Sequence, residues 1–442
     1  MKEKITLVIA AAMVCTTASA RQWTLAECIS YALENNIQIQ KTGITRRSAV
    51  EDLKQAQASL LPSLSAQTSQ QVNYTPWIES GISGEGYSRS SIDKVYYNGS
   101  YGVNASYTIF DGSKRQNQVK LSRLAEQAAA IDSATQALSV EEQIARLYVQ
   151  ILYSAEAVTV SKETLANSQA NEERGRSFVE NGKMSKADMA QLTAQVAQDQ
   201  YSLVSAESQV ADYKRQLKQL LQITSDDFDV VTPQASDAMA LSAIPSVSSV
   251  YEGALAVRPE LKSYQNAIDQ SKISMAMAKA TSLPTLSANG GVTTSTTSMN
   301  SKGWGQQLKN NFNIGAGVTL SIPIFDQRQK KTAYNKAVLQ QQNAMLDLKN
   351  EQTTLYSTIE SYWLQATNNQ NQFRAATVST KSAQESYDLV SEKFKEGLSN
   401  IVEVRTAKDK LLQSRQNELQ AKYLAILNID MLNFYRDGKL RE

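Results

Sequence analysis

The chain carries one sequence pattern twice. Four landmarks of the first copy recur in the second: residues 32–37 at 254–259, residues 61–66 at 283–288, residues 109–111 at 324–326, and Gly182 at Gly397. The first two pairs lie 222 positions apart and the last two lie 215 apart, so the copies differ in length between residues 66 and 109. We expect a surface loop there, because loops tolerate such changes. One structural unit of roughly 215 residues is therefore present twice, with the same order of elements.

Alternation of apolar and polar residues predicts two strands in each copy. It is strict in 101–109 and 312–324 and weaker in 63–74 and 285–296. Each segment is about as long as a tilted strand that crosses a bilayer, roughly 9 to 11 residues. Soluble hairpins on a sandwich would also alternate, but here the polar face is Gly, Ser, Thr and Asn without charge, and aromatic residues cluster at the strand ends as in interfacial girdles. The predicted lipid-facing residues are Val103, Ala105, Tyr107, Ile314, Ala316, Val318 and Leu320.

The remainder of each copy predicts very long helices. Residues 113–181 contain no proline and keep heptad spacing, and 327–396 match them in the second copy. At 1.5 Å per residue such a helix is on the order of 100 Å long. After Gly182 the chain returns in two helices, one ending at Leu221 and one over 250–283. The second copy returns through 398–435 and the N-terminal helix 24–60, which opens with a capping box of Thr24 and Glu27.

Composition excludes several classes of function. The 45 Lys and Arg residues balance 43 Asp and Glu residues, with interleaved signs, so we expect no nucleic-acid partner. The chain has no histidine, which excludes Ser-His-Asp and Cys-His catalysis and histidine-based metal sites. We expect no cofactor and no metal.

The first 20 residues predict a secretory signal peptide. Lys2 and Lys4 precede an apolar stretch, and Ala18-Ser19-Ala20 suits signal peptidase, so we expect the mature chain to begin at Arg21. Cys15 would leave with the signal peptide. Cys28 would remain as an unpaired core thiol in an oxidising compartment.

Four transmembrane strands cannot close a barrel alone, because an open edge in lipid leaves backbone groups unsatisfied. The strands must therefore be shared between subunits. This indicates a homo-oligomer with one pooled barrel, whose uncharged polar faces line a water-filled lumen, and a long helical tube beneath it.

The residues that carry the repeat resemble those of the TolC family of bacterial outer-membrane efflux factors, over essentially the whole mature chain. They are Leu25-x-Glu27 through Ala32-Leu33-x-x-Asn36, Ala254-Leu255 with Arg258-Pro259-Glu260-Leu261, Leu-Pro before each first strand, Ile-Phe-Asp after each second strand, and an aromatic residue before a glycine at each hairpin tip. The resemblance implies an α+β membrane protein. Its duplicated β-hairpins and long α-helical hairpins would form a homotrimer with a 12-stranded outer-membrane β-barrel, continued by a periplasmic α-helical tunnel.

The resemblance also implies partners and a gate. The trimer would sit in the outer membrane of a Gram-negative bacterium, among its lipids. It would dock a periplasmic adaptor bound to an inner-membrane pump of the RND, ABC or MFS type, and would passively conduct substrates outward in efflux or type I secretion. Because the pump would supply the energy, the resemblance implies that the chain is not an enzyme. The implied tip and adaptor-docking residues are Phe178, Gly182, Phe394 and Gly397, and the implied entrance gate residues are Asp188 and Glu403. A further acidic family position falls on Thr406 and a basic partner on Ser399, so the closing network of this chain differs from the family pattern.

The repeat also predicts domain boundaries: a first repeat over 21–223, a linker over 224–249 and a second repeat over 250–442. Two alternative functions stay open. A periplasmic adaptor would show one helical hairpin with glycine-rich lipoyl-type halves. A coiled-coil surface scaffold would not need four alternating strands. Detergent dependence distinguishes both from an outer-membrane duct.

Overall fold

The computed structural model of the chain describes residues 22–77, 81–83, 88–90, 94–225, 228–233 and 235–440. The predicted signal peptide 1–20, with Cys15, and the predicted first mature residue Arg21 lie outside these ranges. The ten helices of the described ranges are α1 Leu25–Asn35, α2 Ile37–Ala58, α3 Lys114–Glu180, α4 Lys186–Leu221, α5 Asp237–Ala240, α6 Val247–Val257, α7 Pro259–Ala280, α8 Trp304–Asn310, α9 Gln329–Lys395 and α10 Ile401–Asp437. The strands described are β1 Gln22–Trp23, β2 Ser63–Tyr74, β3 Gly81–Ser83, β4 Ser88–Ser90, β5 Val95–Phe110, β6 Asp229–Val230, β7 Thr285–Thr297 and β8 Asn313–Ser321.

The chain divides into two compact units. One contains residues 1–42, 133–259 and 351–442, and the other contains 43–132 and 260–350. Among the described residues, no helix is both long enough and apolar enough to cross a membrane.

The second unit contains a four-stranded antiparallel sheet in the order β2-β5-β7-β8, which confirms the four predicted strands. The hairpin of each repeat joins the other through β5 and β7, where Val103 lies opposite Val292. Val292 in turn lies opposite Ile314 of β8. Because paired residues of neighbouring strands point to the same side, the register places all seven predicted lipid-facing residues on one face.

The prediction for the last strand was wrong at its C-terminal end. The alternation extended it through Ile324, whereas β8 ends at Ser321. Pro323 has no N–H to donate to a ladder, and its ring restricts the backbone of Ile322. The predicted surface loop between residues 66 and 109 corresponds to the connection between β2 and β5, of which β3 and β4 form a small hairpin.

Each long helix begins three residues after the aspartate of an Ile-Phe-Asp motif. Asp111 accepts hydrogen bonds from the backbone N–H groups of Lys114 (3.0 Å) and Arg115 (3.1 Å), and Asp326 accepts one from Lys330 (2.9 Å). The two residues after each aspartate have positive φ, at 112–113 and at 327–328. The duplicated motif is therefore a helix cap that turns the chain from strand to helix.

The predicted helices 113–181 and 327–396 are confirmed as α3 and α9, of 67 residues each. Two other helices are broken where the sequence predicted continuity. The helix predicted over 24–60 is interrupted at Asn36 (ψ 126°), and the helix over 250–283 at Arg258 (ψ 123°). Pro259 accounts for the second break, because the residue before a proline is disfavoured in the α conformation. At the first break, Asn36 donates its amide to the Leu220 carbonyl (2.8 Å).

The core of the first unit is clearest around α1. Cys28 and Ala32 are fully buried there among apolar residues of α3, α4 and the parallel pair β1-β6. The capping box is formed, because Thr24 and Glu27 bond reciprocally. Burial raises the pKa of the Cys28 thiol to about 12, and the neighbouring Glu27 adds to the shift. The predicted core thiol is confirmed, and Cys28 forms no disulfide.

Candidate functional site at the helical hairpin tips

The two long helices end in the same turn. At the first tip the N–H of Lys183 donates to Phe178 O (2.7 Å) and that of Gly182 to Val179 O (3.0 Å). At the second, Leu398 donates to Lys393 O (2.8 Å) and Gly397 to Phe394 O (3.1 Å). This is the Schellman pattern, whose glycine must be left-handed: φ is +69° at Gly182 and +73° at Gly397.

The glycines are equivalent between the two tips, but the phenylalanines are not. Phe178 lies four residues before Gly182, and Phe394 lies three residues before Gly397. Their rings nevertheless meet across the two hairpins, with centroids 6.2 Å apart and planes at 58°. Phe394 is buried in a small apolar cluster with Leu192 and Ile401. The aromatic contact therefore joins the tips of the two repeats.

Both candidate gate carboxylates are hydrogen-bonded to the N-cap residue of their helix. Ser185 Oγ accepts from the Asp188 N–H (3.1 Å) and donates to the Asp188 carboxylate (2.7 Å). In the second repeat Asn400 Oδ1 accepts from the Glu403 N–H (3.0 Å), and its amide donates to Glu403 Oε1 (3.1 Å). Asp188 and Glu403 are thus equivalent residues, 215 positions apart, in the first turns of α4 and α10, where negative charge favours the helix dipole.

Ser399 and Thr406, the two residues that depart from the family pattern, each donate a hydrogen bond within the second tip. Ser399, in place of the basic gate residue, donates its hydroxyl to the Glu403 carboxylate. Thr406 donates its hydroxyl to the Val402 carbonyl of its own helix (2.8 Å). The carboxylate of Glu403 is therefore held by neutral donors of its own turn.

A cleft of about 500 Å³ opens between the two tips. Five of the six predicted tip and gate residues line it, namely Phe178, Gly182, Asp188, Phe394 and Gly397. Glu403 is not among the lining residues, although its partners Ser399 and Asn400 are. Lys183 and Asp188 are the charged side chains of the lining, so the cleft combines aromatic walls with one charge of each sign.

A buried ion pair above the tips was missed by the sequence analysis. Lys408 Nζ of α10 donates to both carboxylate oxygens of Asp199 of α4 (2.7 and 2.9 Å). Gln195 (3.0 Å) and the Ser168 hydroxyl of α3 also donate to Asp199. Both charged side chains are less than a tenth exposed, at 7% and 5%.

The sequence did contain a signal for this pair. Asp199 stands seven residues after Leu192 and seven before Ala206, at a core position of the heptad seam. Lys408 likewise interrupts the apolar series of Ile401, Val404 and Leu411. A charge at a core position on each of two helices predicts that the two side chains meet.

Within the described ranges, no group of three or more Cys, Asp or Glu side chains is placed to hold a metal ion. The chain's similarity to known proteins decides its family. The model of the outer membrane efflux protein family matches residues 28–221 and 250–428.

The chain belongs to the outer membrane efflux protein family. It is an outer membrane efflux protein, and the resemblance to the TolC family is confirmed. Both matched segments of the family model include a hairpin tip, so the cleft lies within the part of the chain that defines the family.

Relatives of this efflux protein align with nearly the whole chain. Toxin and drug export protein A of Aggregatibacter actinomycetemcomitans is 21% identical over 401 residues, which are 90% of this chain and 82% of the relative. The solved structure of CusC has a TM-score of 0.79 at 16% identity and covers 94% of this chain and 92% of its own. The Campylobacter jejuni CmeC outer membrane channel has a TM-score of 0.77 at 19% identity, with coverage of 94% and 86%. At these identities the solved structures establish the fold.

Proposed function

We propose that three copies of this chain pool their sheets into one twelve-stranded barrel, and that their helical hairpins continue it as a periplasmic tunnel. The observation that carries this proposal is the four-stranded sheet with β2 and β8 at its edges. One face presents the apolar row of Val103 and Val318, and the other presents Gly, Ser, Thr and Asn without charge. Open edges are not stable in lipid, so edges of neighbouring copies pair.

The oligomer is tested with purified full-length protein in detergent. We expect a trimer by light scattering after subtraction of the detergent, and ion conductance in planar bilayers. A monomer that conducts ions would contradict the pooled barrel. Protein that fractionates as soluble without detergent would instead support a periplasmic adaptor or a surface scaffold.

The tips form the periplasmic entrance of this duct in our proposal. Asp188 and Glu403 of three copies would place about six carboxylates around one axis. Several negative charges at close range attract cations. Glu403 contributes more than Asp188 to the attraction of cations, because the second hairpin supplies the inward acidic positions in the family pattern.

Cation selectivity tests the entrance. In planar bilayers, Glu403→Ala should lower the preference for cations and weaken block by multivalent cations, whereas Asp188→Ala should have a smaller effect. Glu418→Ala, on the same helix α10 but fifteen residues further from the tip, is the control of equal charge change. Unchanged selectivity and block in Glu403→Ala would refute the gate role of Glu403 and leave only its contact with the helix cap.

We further propose that the tip cleft docks a periplasmic adaptor that connects the duct to an inner-membrane pump. Aromatic walls are suited to an apolar side chain of a partner, and Leu398 beside the cleft is 77% exposed. Leu398→Glu should abolish co-purification with the adaptor of the same organism, while Leu398→Met should retain it. Both variants should remain trimeric, which separates docking from assembly.

A further inference from the structure

The connection between β7 and β8, residues 298–312, folds around a buried side chain. Gln307 is only 5% exposed. Its amide oxygen accepts from the Thr297 N–H (2.7 Å), and its amide nitrogen donates to the carbonyls of Lys302 (2.7 Å) and Asn300 (3.2 Å). Asn311 donates to Ser295 O (2.7 Å) at the other end of α8. The connection is therefore a built structure with fixed side-chain positions.

Helix α8 lies against the apolar face of the sheet. Thr294 Oγ1 donates to Leu308 O of α8 (2.8 Å), and the indole N–H of Trp304 donates to the Tyr101 hydroxyl (3.4 Å). The rings of Tyr101 and Trp304 are perpendicular, with centroids 6.2 Å apart. Tyr101 and Thr294 are cross-strand partners, and Tyr101 lies two residues from Val103 on the same side of β5. Trp304 is thus held at the margin of the face that we place in lipid, while 58% of it stays exposed.

The charge of this connection has one sign. From residue 270 to residue 325 the sequence contains no Asp or Glu, and from 280 to 325 its only charged residues are Lys302 and Lys309. Both lysines are exposed: Lys302 precedes α8 and Lys309 lies in its last turn. Within the described ranges no ion pair joins either lysine to a carboxylate. The connection between β2 and β5, by contrast, contains Glu79, Glu85 and Asp93 with Arg89 and Lys94.

We propose that the 298–312 connection binds the phosphate groups of an anionic glycolipid in the outer leaflet of the membrane, with Lys302 and Lys309 as the phosphate ligands and Trp304 as the interfacial anchor. The inference rests on the proposed function for two points: the apolar face of the sheet contacts lipid, and the end of β5 away from α3 faces the outside of the cell. Tryptophan prefers the membrane–water interface. Lysines close to an anionic membrane surface each strengthen the attraction about five-fold.

The arrangement favours a lipid over a free ion. The lysines flank an exposed indole at the edge of an apolar surface. The phosphates of one lipid molecule would therefore meet the ammonium groups, its sugar the indole, and its acyl chains the apolar face of the sheet. Both lysines are exposed, so their ammonium groups are not set among buried donors. A free phosphate would therefore have only the two exposed ammonium groups.

The test uses the purified full-length protein in detergent and native mass spectrometry. The probes are bis-phosphorylated lipid A, the same lipid without phosphates, and inorganic phosphate. We expect retention of the phosphorylated lipid, at least ten-fold weaker retention of the dephosphorylated lipid, and no displacement by millimolar inorganic phosphate. Equal retention of the two lipids, or displacement by inorganic phosphate, would overturn the proposal.

Variants locate the site. The double variant Lys302→Gln/Lys309→Gln should weaken retention of the phosphorylated lipid about 25-fold. Trp304→Ala should weaken both lipids about equally. Lys381→Gln/Lys393→Gln, two exposed lysines of α9, is the control of equal charge change and should bind as wild type. Wild-type lipid affinity in the Lys302/Lys309 double variant would refute the site, even if that variant forms a trimer and conducts ions. If the wild-type protein itself forms no trimer and conducts no ions, the proposed function is refuted instead.

Discussion

In the first repeat the break between α1 and α2 is held by a hydrogen bond, since Asn36 donates to the carbonyl of Leu220 at 2.8 Å. In the second repeat the break between α6 and α7 lies at Arg258, whose guanidinium stacks 4.3 Å from the ring centroid of Tyr435. Arg258 is the repeat equivalent of Asn36, and Tyr435 that of Leu220. The backbone at the two breaks is nearly identical, with φ and ψ of −65° and 126° against −66° and 123°. The duplication has kept the backbone geometry while the contacts that hold it have diverged.

The repeats also differ at the buried ion pair of Asp199 and Lys408. Its members Asp199 and Lys408 have the repeat equivalents Ser414 and Thr193, both neutral. Ser414 Oγ lies 3.2 Å from Ser379 Oγ, so a hydroxyl pair stands where the first repeat has a carboxylate. A buried charged pair therefore links α4 of one repeat to α10 of the other, and this asymmetry allows the two hairpins to be distinguished by mutation.

The largest effect is expected at Asp199. Asp199→Ala leaves Lys408 buried without its partner, which should lower the free energy of unfolding by about 3 to 5 kcal/mol in a urea titration. Ser414→Ala, the same substitution at the equivalent residue, should cost only about 1 kcal/mol. Similar losses for both variants would show that the charge asymmetry has no energetic weight. The double variant Asp199→Leu/Lys408→Met should recover most of the loss.

The next effect concerns the sheet, where the repeats should behave alike. Val103 and Val318 are equivalent, and an arginine at either should cost about 2 to 4 kcal/mol if the residue lies near the bilayer midplane. Membrane insertion and trimer yield should fall similarly for both. Thr319→Arg, one position along on the opposite face, should insert normally and change ion selectivity. If Thr319→Arg and Val318→Arg impair insertion equally, the alternation has been misassigned.

A smaller effect separates the two helix breaks. Asn36→Ala removes the partner of the Leu220 carbonyl at a buried position and should cost about 1 to 3 kcal/mol by urea titration. Arg258→Lys keeps the charge but loses planar stacking on Tyr435, for an expected cost of about 0.5 to 2 kcal/mol. Asn35→Ala, next to the first break, serves as the control, because the Asn35 side chain donates to the Tyr31 carbonyl of its own helix. A greater loss in Asn35→Ala than in Asn36→Ala would exclude our account of the break.

The smallest effect is expected at the tips, where the repeats share one backbone conformation. Gly182→Ala and Gly397→Ala should each cost about 1 to 2 kcal/mol through left-handed backbone strain alone, because a Cβ at either would meet no atom within 4 Å. Gly43, inside α2 and equally unobstructed, should give a gain of about 0.5 to 1 kcal/mol on the same substitution. Thermal denaturation in detergent measures all three. A gain at Gly182 or Gly397 would show that the turn relaxes.

The repeat and the two hydrophobic periods predicted most of the fold. The strands and the two long helices follow from them, because alternation and heptad spacing directly reflect which faces are buried. The break at Asn36 has no Gly or Pro signal. The Asn36 side chain accepts hydrogen bonds from the N–H groups of Gln38 and Ile39 and donates to the Leu220 carbonyl 184 residues away. Local sequence offered only the general preference of asparagine for helix starts, and the distant contact left no local signal. Helix α8 is seven residues long and is held by Gln307, whose buried contacts leave no periodic trace.

The tip residues show the same limit. The repeat indicated that Asp188 and Glu403 are equivalent, and the glycines required left-handed turns, both of which are properties of one chain. Whether carboxylates point to a common axis depends on the other copies, which a single sequence does not position. Their local role as cap partners could have been predicted from Ser185 and Asn400, three residues earlier in each repeat.

The two edge strands of the sheet impose a kinetic burden on biogenesis. β2 has twelve residues and β8 has nine, and each leaves one ladder of amide and carbonyl groups available to any extended segment it meets. In a newly exported chain, pairing of these edges with other copies in the native oligomer therefore competes with irreversible aggregation. The yield of assembled protein should consequently depend on synthesis rate and on periplasmic chaperones that cover these edges, more steeply than for a barrel closed within one chain.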